Sequence, residues 1–259
     1  MEWSQKRKIL YLLLFTAVFF ALIAYPAYNF FKEKPTCFDL KQNGTETGVD
    51  CGGGCALMCA AEVRSLEVAW SSVFYVGGNR YDLGAYVKNV NKNAGIKKLR
   101  YTMRALDSAG QVLITRKGTT EIAPASNVLL VEANILLSSE PTTVEIVFEP
   151  EDLARWTKAS VVPSTVVTKN QKLTNIDSRP RLDAILVNTD PIKSATELPI
   201  GVVVYNTSFE PVAVSYTYVD EVPKSSERGI FFTWPGQFLA SGESFSSEIL
   251  IVPKVVFSE

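Results

Sequence analysis

Residues 98–106 read KLRYTMRAL, and their alternation decides what most of the chain becomes. Leu99, Tyr101, Met103 and Ala105 share one parity, and Arg100, Thr102 and Arg104 the other. Successive side chains of a strand point to opposite faces, so one face is suited to a core and the other to water. Asp107-Ser108-Ala109-Gly110 follows as a turn signal, and another strand-like run begins after it. Runs rich in β-branched and aromatic residues lie at 67–75, 81–89, 98–106, 112–117, 128–136 and 143–148. Gly77-Gly78-Asn79 and the stretch 91–95 (NKNAG) are turns between them. Such strands packed into about 90 residues predict a β-sandwich.

A second set follows at 164–168, 181–188, 199–205, 212–219, 229–234 and 246–252. A shift of 99 residues puts Leu83 on Leu182, Ala85 on Ala184, Asn89 on Asn188 and Leu99 on Leu198. It also puts Pro124 on Pro223, Ser126 on Ser225 and the turn Asp107-Ser108 on Asn206-Thr207, with no gap needed. The chain is therefore expected to be mainly β, with two tandem sandwiches at 63–150 and 166–259 and a linker at 151–165. The linker holds a helical turn near Glu151 and Asp152. Trp156 is expected as satellite core or as a wedge between modules, and Trp70 and Trp234 as core of their own strands.

Working back to the N-terminus, residues 9–31 carry no charge. As a helix they span roughly 35 Å, enough for a hydrocarbon core. Lys6, Arg7 and Lys8 precede them, so the positive-inside bias leaves 1–8 in the cytoplasm and exports the rest. The expectation is a single-pass cell-membrane protein with the lipid bilayer as its first partner. Tyr25, Tyr28, Phe30 and Phe31 supply an aromatic belt, and Pro26 is expected to kink or end the helix there. A cleaved signal peptide would share the basic start and the apolar run, but the small-x-small cleavage pattern is missing.

All four cysteines, Cys37, Cys51, Cys55 and Cys59, crowd into 32–62, a glycine-rich stretch that cannot build a core. Outside the cytoplasm an even number of cysteines in such a segment reads as a disulfide staple. The pairing stays open. An all-thiolate zinc site is the alternative, and redox chemistry lacks its CxxC motif. The window 39–50 also follows part of a calcium loop. Asp39, Asn43, Gly44 and Asp50 occupy positions 1, 5, 6 and 12, and Glu46 adds a carboxylate. Lys41 stands where a ligand oxygen belongs. No cofactor is expected; beside the zinc alternative, calcium is the one ion the pattern admits, with Asp39, Asn43, Glu46 and Asp50 as its ligands. The competing reading is a turn whose side chains cap its own backbone.

The pattern C-x-D-x3-N-x2-ETGVDCGG-x-C-x3-C directly after one apolar span resembles a group of uncharacterised envelope proteins from candidate-phylum bacteria with reduced genomes. The stretches 85–113, 178–190 and 228–238 are similar to those proteins as well. The resemblance implies a membrane anchor followed by immunoglobulin- or fibronectin-III-like modules, and it implies no activity and no catalytic residues.

Function classes narrow accordingly. A formal net charge of −1 gives no electrostatic case for nucleic acid. The chain has no histidine, which removes the commonest general base and transition-metal ligand. No nucleophile elbow or phosphate loop is present. The carboxylates Glu149, Glu151 and Asp152, like Asp220 and Glu221, sit at turns and strand ends rather than across a cleft. The expected role is non-enzymatic: a tethered display or adhesion protein whose modules bind a protein or envelope-polymer partner. Alternatives are an assembly subunit that uses Ala17, Ala21 and Ala24 on the span, and an envelope glycan hydrolase, which lacks a visible acid pair.

Overall fold

In the computed structural model, residues 3–31, 34–238 and 244–258 are described. Helix α1 (Trp3–Phe31) leads, with its apolar side chains exposed. Its apolar part, Gln5–Tyr28, covers 24 residues, which at 1.5 Å per residue is about 36 Å. The helix does not end at Pro26 but continues to Phe31. A proline this near a C-terminus forfeits only the bond to the carbonyl one turn back, and its fixed φ is itself helical.

The first module consists of β1 (Glu67–Gly77), β2 (Arg80–Lys88), β3 (Ala94–Leu106), β4 (Val112–Ile122), β5 (Asn127–Leu136) and β6 (Thr143–Phe148). β1-β2-β5 form one sheet, and β3, flanked by β4 and β6, centres the other. A four-residue helix α2 (Pro150–Leu153) and β7 (Thr157–Val161) follow. The second module consists of β8 (Val166–Thr174), β9 (Arg181–Asn188), β10 (Ala195–Tyr205), β11 (Pro211–Val222), β12 (Glu227–Thr233) and β13 (Ser246–Ile251). It repeats the pairing as β8-β9-β12 and β11-β10-β13. A final strand, β14 (Val255–Phe257), leaves the second module and pairs with β7.

β3 shows why the opening stretch forms a strand. Leu99, Tyr101, Met103 and Ala105 are buried, and Arg100 and Arg104 are exposed. Thr102, expected in water, is buried too, its short side chain flanked by its cross-strand partners Lys117 and Val147. The inward faces of β2, β3 and β5 make the first core, around Leu83, Ala85, Val87, Met103 and Leu130. Leu182, Leu186, Ile200, Val202, Val204 and Phe232 make the second. Trp234 belongs to this second core and donates its Nε1–H to Val214 O at 3.0 Å.

The repeat is visible atom by atom. Asn89 Nδ2 donates to the carbonyls of Ala94 and Ala123, and Asn188 Nδ2 donates to those of Lys193 and Val222. The β3–β4 turn closes with Asp107 Oδ1 accepting from the N–H of Ala109 and Gln111, and Asn206 Oδ1 does the same for Ser208 and Glu210. The ungapped register holds only this far. Ser126 matches Ser226 rather than Ser225, each donating its hydroxyl to the carbonyl three residues back. A β-bulge between Ile96 and Leu99 lets β3 gain a residue on β4, whereas β10 and β11 pass the same place in register. β11 therefore needs one residue more.

The stretch read as a linker is structured. β7 pairs with the start of β3 at Ala94 and Gly95, beside the portion paired to β6. α2 is pinned by Asp152, whose carboxylate accepts Arg100 Nε at 2.8 Å, Nη2 at 3.0 Å and the Arg100 backbone N–H at 2.9 Å. Trp156 is satellite core, packed with Ile96, Leu99 and Ile122, and does not wedge the modules apart.

These contacts carry two predictions. Asn188→Ala orphans the carbonyls its amide bridges, and urea unfolding should show a loss of about 2–3 kcal/mol. Hydrogen bonds from Arg100 hold the Asp152 carboxyl down at about 2. A folded-state pKa below the unfolded one stabilises fully above about pH 4, and that contribution disappears as pH falls through about 2. The stability difference between wild type and Asp152→Asn should therefore stay constant above about pH 5 and close between about pH 4 and 2. A gap independent of pH would refute the assignment.

Candidate functional site

Two places outside the sandwich cores gather chemistry: the cysteine segment and the seam between modules. In the first, Cys37 is bonded to Cys55 and Cys51 to Cys59. No described cysteine is free, so the thiolates of the zinc alternative are consumed. The backbone turns tightly enough to close both bonds because Gly53 sits at φ +51°, where a Cβ would fall 1.5 Å from Thr45 O.

The expected calcium residues share this loop: Asp39, Glu46 and Asp50 turn carboxylate oxygens onto backbone N–H groups, whereas Asn43 Oδ1 is buried with no hydrogen-bond partner among the described residues. The Asp50 carboxylate accepts from the N–H of Asp39 and Leu40, each at 3.0 Å. Asp39 Oδ1 accepts from the Lys41 N–H at 3.0 Å, and its Oδ2 from Asn43 Nδ2 at 2.8 Å. Glu46 Oε2 accepts from the Asn43 N–H at 3.1 Å. The Asn43 side chain holds Asp39 below the usual carboxylate range. These carboxylate bonds cap the loop's own backbone, and Asn43 Oδ1 takes no part in them. The acid-and-sulfur grouping found among the described residues, Cys37, Glu46 and Cys55, reduces to one carboxylate because its two sulfurs are bonded to each other.

The segment is docked rather than loose. Met58 N donates to Trp156 O at 2.8 Å and Lys158 N to Ala56 O at 2.7 Å, which extends β7 by one bridge at Leu57. Arg64 and Asn91 exchange a pair of 2.8 Å hydrogen bonds. The Met58 side chain packs into the cluster around Trp156.

At the seam, the β1-β2-β5 sheet of the first module faces β11-β10-β13 of the second. Phe74, Tyr86, Leu129, Val203 and Val214 bury one another there. Trp70, expected in its own core, packs on this cluster instead, its ring 5.7 Å from that of Tyr86 and 6.1 Å from that of Phe74. Gly84 permits the approach, since a Cβ there would come within 2.8 Å of Phe74.

One margin of the seam opens into a cleft of about 550 Å³ lined by Trp70, Tyr86, Asn127, Tyr205, Phe209 and Glu248. Glu248 bridges the two modules. Tyr86 Oη donates to its Oε1 at 2.8 Å and Tyr205 Oη to its Oε2 at 3.1 Å. Burial, reinforced by that carboxylate, raises both phenols, Tyr205 to about 12, so both stay protonated donors. Phe209, at the β10–β11 turn, is 80% exposed and adopts φ +60°. The matching turn in the first module has Gly110 there, at φ +75°.

Sequence reading located the cysteine segment and missed this cleft, whose residues lie far apart along the chain. One signal was available: a phenylalanine in the second repeat where the first has a turn glycine.

No protein-family model matches the chain, and no curated protein matches it. Among solved structures it is similar to red sea bream transglutaminase, at 13% identity and a TM-score of 0.24. That likeness covers 75% of this chain and 31% of the transglutaminase. A score so low carries no argument.

Non-reducing peptide mapping should recover the 37–55 and 51–59 linkages. Replacing both Cys37 and Cys55 with serine should cost about 2–4 kcal/mol in urea unfolding, with Trp156 fluorescence reporting a loosened dock.

Proposed function

We propose that this chain is a membrane-anchored, extracytoplasmic display protein that binds a protein or envelope component without catalysis. The observation that carries the reading is the pairing of every cysteine just beyond an exposed apolar helix. Disulfides persist where thiols are oxidised, and an apolar helix with no protein cover is stable in lipid. Lys6, Arg7 and Lys8 then stay on the cytoplasmic side. The crosslinked collar, bonded to β7, gives the modules a stiff exit from the bilayer. The modules are of the immunoglobulin or fibronectin-III kind and offer edges, turns and a seam for binding. The likeness of the cysteine pattern to the envelope proteins named above belongs to the same reading.

Impermeant lysine-reactive biotin applied to intact cells checks the topology. Lys92, Lys97 and Lys98 are exposed on the first module and should be labelled without permeabilisation. Lys6 and Lys8 should be labelled only after it. The reverse pattern would end the proposal. Solubilised protein should behave as an independent unit, and a stoichiometric membrane-embedded partner would point to an assembly subunit instead.

A further inference from the structure

We propose that the cysteine segment lies against the outer face of the bilayer, with Phe38, Leu40 and Val49 sunk into the interfacial layer as a second point of attachment. The inference rests on the membrane-anchored reading above and adds a lipid surface as the partner of this segment. It starts from exposure. Phe38 is 91% and Leu40 83% exposed, the highest values for large apolar side chains outside α1 among the described residues. Val49 is exposed as well. The Asp50 carboxylate accepts the Leu40 N–H at 3.0 Å, which brings the turn carrying Val49 beside the one carrying Phe38 and Leu40. Neither turn is loose, because Cys37 is crosslinked to Cys55 and Cys51 to Cys59. The three side chains are held in a set arrangement, so little ordering cost remains when they are covered.

The length of chain says what covers them. α1 ends at Phe31. Pro35 already packs on the loop, its Cβ 3.0 Å from where a Cβ on Gly44 would stand. Those few residues span at most about 14 Å, and the headgroup layer alone is about 5–8 Å deep on each side of the hydrocarbon. A segment tethered that closely to a spanning helix begins at the membrane surface. Its later part is already taken: Gly53, Ala56 and Met58 bond to Lys158 and Trp156, and Leu57 bridges to Thr157. Phe38, Leu40 and Val49 have no share in that dock. They stand on tight turns, and a fluid interface accepts such tips without a matching pocket. Asp39 and Asp50, beside them, are turned onto backbone N–H groups. Lys34 is exposed at the start of the segment, where its long stem can reach headgroup phosphates. With α1 as one attachment and this patch as another, the collar bonded to β7 would set how the modules stand on the membrane.

The test uses full-length protein in phosphatidylcholine nanodiscs, one copy per disc, with a small share of a phosphatidylcholine that carries a diazirine near the ester end of one acyl chain. After illumination, adducts are mapped by mass spectrometry. They should appear on α1 and on the peptides holding Phe38, Leu40 and Val49, the latter at least about tenfold above the peptide holding Phe209. Hydroxyl-radical oxidation in the same discs should be several-fold slower at Phe38 than at Phe209, although Phe38 is the more exposed ring of the folded chain. Phe38→Ser combined with Leu40→Ser should cut the adducts on Val49 several-fold and leave those on α1 unchanged. Adducts on α1 alone, with Phe38 oxidised as fast as Phe209, would place the patch in water and overturn the proposal. Protection of Phe38 without lipid adducts would overturn it too, since a protein surface would then be the cover. Undiminished adducts on Val49 in the double variant would show that these side chains do not hold the segment down. Absence of adducts on α1 itself would refute the membrane anchor, a failure distinct from that of the patch.

Discussion

A strand that is apolar on both faces has no side left for water, and β10 is such a strand. Val202 and Val204 fill the core of the second module, and Val203 between them is fully buried against the first. β2 is the counterpart, with Leu83, Ala85 and Val87 turned inward and Tyr86 turned to the seam. Each such buried side chain contributes about 1.5–3 kcal/mol relative to exposure. A second sandwich standing apart would forfeit that contribution on both surfaces. The result is four stacked sheets with three apolar layers between them, rather than two beads on a string.

That stacking accounts for features that look incidental one at a time. The cleft lies at the margin of that seam, where Trp70 and Tyr205 pack against the buried layer. Glu248 can sit there because phenols from both modules satisfy it. The chain end can return to β7 as β14 because the second module already lies against the first. β7 is therefore a junction, joined to β3, to β14 and, through Leu57, to the cysteine segment. The collar's stiffness comes from this junction as much as from its own crosslinks.

The two modules diverged where their surroundings differ. Their buried asparagines and turn-closing side chains are shared because they satisfy backbone groups common to both. Arg100, which pins α2, has the seam-side Pro199 as its register equivalent. Gly110 and Phe209 occupy one backbone position, and Phe209 stands at the cleft.

The sequence by itself determined what depends on near neighbours. Alternation in 98–106 makes a strand, an uncharged run before the collar makes a helix, and Asp107 and Asn206 close turns within a few residues. Crowded cysteines, with all four paired in the end, were legible as a staple but not in their connectivity, because every partner lay within reach of the others. The short strands β7 and β14 were invisible, since a few residues such as TKASV or VVF carry no period of their own. Tertiary structure alone decided where Trp70 goes, that Trp156 meets the collar, and that Tyr86, Tyr205 and Glu248 form one cluster. The physical reason is that these depend on which faces of distant sheets meet, and strand periodicity gives a residue's side without naming what lies across from it.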